Sequence, residues 1–446
     1  MTVAITKTKA EQGLTQNFEA VAAKLPGSAA VAAARRTAIG TFAALGLPHR
    51  RLEAWKYTDL RSLLKEALPA AVAAVPATLT RAELDGALEE LAGVAGHRMV
   101  FVDGHYDRGL SDAAPVAGLK LNSLAARLAK PERDGAGAAL LEASAAGQEA
   151  VVALNTAFMT DGAVVDIASG ANLAKPLLLV FIRTAAEAGL VTTRNLISIG
   201  AEARASVIEA YLTLPGAAAG QSNVLSELSL GAGAQLSHVK CTLGGQGESH
   251  LATWTPVLAA GSNYRAFQLT AATGLVRNSV VLTFRGEDAK ADISGCFLGR
   301  GAEHIDTTLV IDHAVAACES RELFKGVLAD KARGVFQGKV IVRPAAQKTD
   351  GKQMAQVLML SEEAEFDSKP ELEINADDVV CGHGSTSADI DEDLLFYFRA
   401  RGIAAEEARA LLIESFIGEA IDKVADAVLR PALMAVARRR LAGMAT

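Results

Sequence analysis

The rhythm of apolar and polar positions changes twice along this chain of 446 residues. From about residue 14 to 68 apolar side chains recur at helical spacing. Ser28 is placed to cap a helix over 29–45, and Gly46 and Pro48 are placed to end it. The stretch RRLEAWKYTDLRSLL (50–64) follows, where Trp55 and Tyr57 read as a buried anchor packing this region on the next one. Residues 69–96 continue with Ala- and Glu-rich helical or loop material, in which Thr80 is a cap for the turn beginning at Arg81.

Near Arg98 the period shortens. MVFVDGHYD (99–107) has strand character and a glycine turn, and the Ala/Gly/Leu-rich residues 120–150 read as a helical insertion. From Gly162 to Asn375 the pattern is short alternating runs broken by small-residue turns. GAEARASVIE, GAGAQLSHVK, AGSNYRAFQL and GEDAKADISG begin at 200, 231, 260 and 286, each a tight polar turn followed by a new strand. That is a repeat of roughly 30 residues, one supersecondary unit. No long amphipathic helix separates the units, which argues against βαβ connections. A stack of parallel coils fits the repeat best, while the spacing alone leaves a β-sandwich or barrel open. After Ile390 the helical period returns, with an apolar helix over 394–398. A longer one has its apolar face at Ala408, Leu411, Leu412, Phe416, Ala420 and Val424, and Pro431 interrupts it before a last short helix. The chain thus divides into a helical region 1–97, a β core 98–388 and a helical region 389–446.

Composition narrows the function. Half the residues are apolar but only 5% are aromatic, so the core is built from small and branched side chains. A net charge of −7 gives no footprint for nucleic acid. No apolar run approaches the ~18 residues of a membrane span, and the first residues lack the pattern of an export signal. The four cysteines, at 241, 296, 318 and 381, form no Cys-x-x-Cys pair. Together these point to a cytoplasmic protein.

Enzyme signatures are absent. Gly334-Val-Phe-Gln-Gly338-Lys339-Val340 has three residues between its glycines where a phosphate loop needs four, and Val where the loop needs Ser or Thr. Asp288, Asp292, Asp306 and Asp312 could line a carbohydrate-cleaving groove, but among Lys290, Arg300 and His304 they read as solvated turn charges. His304, His313 and Cys318 could ligate a metal, although core or turn histidines explain them as well. Cys241, in an alternating strand, reads as an inert buried thiol. Cys381-Gly382-His383-Gly384 stands apart. It is placed where an extended segment, Leu372 to Val380, gives way to a helix, and its glycines imply an exposed, unusual backbone. Two ligands do not close a metal site, so the remainder would have to come from elsewhere, including another chain.

The block 338–403 resembles the C-terminal signature of the SufB/SufD family of iron–sulfur cluster assembly proteins. Gln347-Lys348-Thr349, Gln353, Leu360-Ser361, Pro370, Leu372-Glu373-Ile374 and Asp377-Asp378-Val379 match its run, as do residues 154–179 and EAWKYTDL (53–60). His383-Gly384-Ser385, in place of His-Glu-Ala, is the SufD-like form; Ser385 departs from the more usual Ala, and no role is carried onto Ala355-Gln356. The resemblance implies a right-handed parallel β-helix flanked by helical regions, and a non-catalytic scaffold subunit. It implies pairing with a SufB-like protein at the sheet end near Cys381 and His383, which would touch a nascent cluster transiently as metal ligands. It implies that a SufC-like ATPase, which binds the ATP, docks on the C-terminal helix through Leu411, Leu412, Phe416 and Ala420. No cofactor is then held tightly by this chain alone, and without partners a homodimer is possible. The alternatives are a SufB-like homodimeric cluster scaffold and a β-helix carbohydrate-active enzyme.

Overall fold

A computed structural model describes residues 6–72, 79–94, 96–129, 147–245, 247–271, 274–442 and 444. The stack of coils is what the chain builds. From Ala163–Ile167 onward, strands consecutive in sequence alternate between a nine-stranded and a ten-stranded sheet, and each but the last two pairs in parallel with the strand two places on. Arg204, Gln235, Asn263, Lys290, Glu319, Asp350 and Val380 lie in one register column of the ten-stranded sheet. This parallel order excludes the sandwich and the barrel. Two short antiparallel pairings, His97–Val102 with His105–Asp107 and Leu119–Ser123 with Ala163–Ile167, belong to the N-terminal end of the stack.

The corners explain the repeat. Two residues before each of the first six of those strands the chain passes through the left-handed region: Glu202, Gly233, Gly261, Asp288, Ala317 and Lys348, with φ between 57° and 66°. A left-handed residue reverses the chain tightly, at a steric cost where it is not glycine. The alternating strand that follows sends one set of side chains into the bore and the other outward. In the first coils Phe101, Phe181 and Tyr211 stack with centroids 4.9 and 4.8 Å apart, the spacing of adjacent strands.

Helices cover both outer faces. Ile413, Ile417, Ala420 and Ile421 of the helix Ala405–Ile421 pack on Phe267, Cys296 and Val327 of the ten-stranded sheet. N-terminal helices and the helix Glu149–Phe158 cover Leu190, Leu251 and Leu275 of the other. Ser28 caps Ala29–Leu45 and Thr80 caps Arg81–Leu88 through a full capping box, as expected. The expected helical insertion at 120–150 is corrected at its start: Leu119–Ser123 is a strand, because it pairs with Ala163–Ile167. A five-residue helix, Leu124–Leu128, follows, and 130–146 lie outside the described residues. Pro431 does not break a helix either. It sits in the first turn of Leu429–Leu441, where a missing N–H costs nothing.

Candidate functional site

The stack ends with Glu365–Ile374 in one sheet and Val380–Ala388 in the other, and each pairs with a strand on one side only. Their outer edges present unpaired backbone donors and acceptors. Met354, Ile374 and Val380 expose large apolar side chains at this end, Val380 to 60%.

Cys381 and His383 are in that last strand. The expectation that they occupy a turn between sheet and helix is therefore corrected: Asp350–Met359 pairs with Val380–Ala388 through Gly351↔Cys381 and Gln353↔His383 and holds the segment extended. Gly382 and Gly384 have no left-handed backbone. They leave the outward face bare instead. A methyl on Gly382 would meet nothing within 4 Å, and one on Gly384 would meet the Met354 methyl at 2.6 Å. Residues i and i+2 of a strand share a face. Cys381 packs on the bore cluster above Gly351, and His383, exposed, stands on the same face above buried Gln353. Burial raises the Cys381 thiol above its usual range, with Asp350 and Glu322 adding to the rise and a hydrogen bond from Gly351 opposing it. Among the described residues no group of three or more His, Cys, Asp or Glu is placed to hold a metal ion. Among those residues, Cys381 and His383 remain an incomplete ligand set.

Beneath this end lies a polar group that sequence reasoning missed. Glu322 pairs in register with Gln353, which pairs with His383. It is buried, and neither of its carboxylate oxygens has a hydrogen-bond partner. Gln353 spans the bore, its Nε2 donating to Gly338 O at 3.1 Å.

The other candidates separate. His304 bonds Thr58 Oγ1 at 2.8 Å on the outer face, whereas His313 stacks on Phe284 in the bore at 4.5 Å; the two do not converge with Cys318 on a metal. Asp306 is not a solvated turn charge but fully buried and paired with Arg277, and Asp312 pairs with Arg343 at 2.6 Å. Cys241 is a buried thiol, pushed up to about 12 by burial. Trp55 is buried as expected and Tyr57 half-buried.

In the C-terminal helical region Ala420 is fully buried against the solenoid, Leu412 and Phe416 are half-buried on it, and Leu411 is exposed. The amphipathic face is used within the chain, so Ala420 has no surface to offer. Exposed apolar side chains gather on the preceding helix, Glu392–Arg399: Leu394, Tyr397, and Phe396 at 71% exposure.

Comparison with known proteins covers nearly the whole chain. Residues 181–416 match the SufBD core domain of SUF-system FeS cluster assembly, and residues 8–179 match the SufBD protein N-terminal region. The chain is 31% identical over 403 residues to an iron–sulfur cluster assembly SufBD family protein of Synechocystis, covering 87% of this chain and 86% of that one. It is 30% identical over 401 residues to the iron–sulfur cluster assembly protein SufD of Escherichia coli, covering 89% and 90%. With SufD of Bacillus subtilis it shares 27% over 299 residues, covering 65% and 67%.

Proposed function

The chain belongs to the SufBD family of iron–sulfur cluster assembly proteins, and from that premise we propose that it is a SufD-like scaffold subunit that pairs with a SufB-like chain through the open end of its solenoid. The observation that carries the reading is the combination at that end. Two sheets stop with unpaired edges and exposed apolar side chains, and Cys381 and His383 share one face with no third ligand among the described residues. A partner that continues the sheets satisfies the edge groups and brings the missing ligands. Iron and sulfide are cargo at that junction, held transiently. The cysteine must lose its proton to bind metal, and its raised pKa means that binding drives the deprotonation.

A SufC-like ATPase docks, in this reading, on Leu394, Phe396, Tyr397 and Leu411, and supplies the ATP hydrolysis that this chain does not. Phe396→Asp should weaken that association by roughly thirtyfold or more, as loss of a central aromatic anchor does. Titration of the purified partners checks this, and unchanged affinity removes the helix from the docking surface.

The test of the whole reading is co-purification with SufB-like and SufC-like partners, followed by anaerobic reconstitution. His383→Ala should leave the complex intact and lower the cluster yield roughly tenfold or more. A stable complex with an undiminished yield would make His383 a bystander. No complex, or a self-paired chain that assembles clusters alone, would overturn the pairing.

A further inference from the structure

The outer face of the ten-stranded sheet carries a groove of about 300 Å³ at the end where the strands begin. Arg204, Gln235 and Asn263, each the first residue of its strand, form one register row across it. Two residues on, Ser206, Ser237 and Arg265 form the next row and face the same way. One wall is the corner segment that brings in Lys175. The other is Ala425–Asp426, between the helices Ala405–Ile421 and Leu429–Leu441.

The groove is electropositive. Lys175, Arg204 and Arg265 are exposed along it, and among the described residues none of them has an ion-pair partner. Elsewhere on this sheet's outer face cations are paired, Lys290 with Glu319, Arg321 with Asp350 and Lys325 with Glu419. The acid in the lining is Asp426, and one of its oxygens already accepts the Val428 N–H at 2.9 Å. Asp292, the register neighbour of Arg265, lies among Lys423 and Arg321 as well, so it does not neutralise Arg265. Glu202 is turned onto Gly233 at the corner, outside the lining. Among the described lining residues, three positive charges thus face one negative charge.

The floor adds a donor. Ser206 Oγ is buried without a hydrogen-bond partner, which is uncommon for a hydroxyl. An anion seated between Arg204 and Arg265 would accept from it. Two residues along a strand and two strands across set the two arginine Cα atoms roughly 12 Å apart. Guanidinium groups converging from that separation suit two linked phosphates better than one.

We propose that this groove binds a pyrophosphate group, free or at the end of a nucleotide. Arg204 and Arg265 grip one phosphate each, Lys175 lies over them and Ser206 donates from the floor. The groove is large enough to leave a nucleoside room beside the phosphates.

Titration calorimetry of the full chain at low salt should find one saturable site for inorganic pyrophosphate, at least about tenfold tighter than for orthophosphate. Arg204→Ala and Arg265→Ala, both at exposed positions, should each weaken pyrophosphate by about tenfold or more, and Ser206→Ala by about threefold. Lys352→Ala, exposed on the same sheet face outside the groove, should leave the affinity unchanged. ADP then separates the two sources. Tighter binding than pyrophosphate makes the ligand a nucleotide, and equal or weaker binding makes it the free anion. No saturable heat, orthophosphate bound as tightly, or Lys352→Ala losing as much as the arginine variants would each overturn the site.

Discussion

Asp306→Ala is expected to cost about 3–5 kcal/mol of stability, the range seen when one partner of a buried ion pair is removed. Arg277 and Asp306 are cross-strand neighbours on the outer face of the nine-stranded sheet, and both are fully buried. Asp306 accepts from Arg277, from Thr58 and, at 2.8 Å, from Thr308. Arg277 in turn donates to Ala54 O at 2.7 Å and lies 3.8 Å from the centre of the Trp55 ring. The pair therefore clamps residues 54–58 onto the coils. Removing the carboxylate strands a guanidinium whose pKa burial already lowers, and it frees Thr58 and Trp55 together. Chemical denaturation should show the loss, and protease should cut near Trp55 sooner than in the wild type. The double replacement Arg277→Met with Asp306→Leu should recover much of the stability, since the cost is that of an unpaired buried charge. A single variant within about 1 kcal/mol of wild type would show that the clamp carries little of the docking energy.

That clamp also shows where sequence reasoning stops. Each coil must turn through a left-handed residue and then alternate, so the solenoid announces itself as small polar turns at a steady interval. Glu202, Asp288 and Lys348 fill the corner position without being glycine, which is why the repeat is faint. Nothing local tells an outward Asp from a buried one. Asp306 looks like its neighbours in a charged stretch until the register sets it opposite Arg277. Cys381 and His383 were legible as a pair, but their glycines suggested a turn, and the pairing with Asp350–Met359 decides for a strand. At the C-terminus the apolar stripe of Ala405–Ile421 was visible, but not that the solenoid itself would cover it. Phe396 and Tyr397, beside each other in a short helix, carry no periodic signal of exposure.

Glu322 makes the stability of the fold depend on pH. Its side chain enters the bore between Ile293 and Gln353, its register neighbours, with both oxygens unpartnered. Burial pushes its pKa up to about 8, with Ser320 and Arg321 pulling it back and Asp292 adding to the rise. The nearby Ser320 hydroxyl is bonded to His313 Nε2 instead, at 3.1 Å. An acid whose folded pKa exceeds its unfolded value binds its proton more tightly when folded. It costs nothing below the unfolded value, near 4.5, and destabilises progressively as pH climbs towards 8, after which the penalty is constant. The full span corresponds to roughly 3–5 kcal/mol. Other buried groups titrate alongside, His313 held down to about 4 and Lys240 down to about 7, so the wild-type curve alone would not isolate the effect. The difference between Glu322→Gln and wild type does, because those groups are common to both. Urea denaturation of the two at pH 5 and pH 9 should find the variant gaining, over that interval, most of the carboxylate's penalty. A difference that stays constant between the two pH values would mean that Glu322 ionises freely in the folded chain, through water or a partner in the bore.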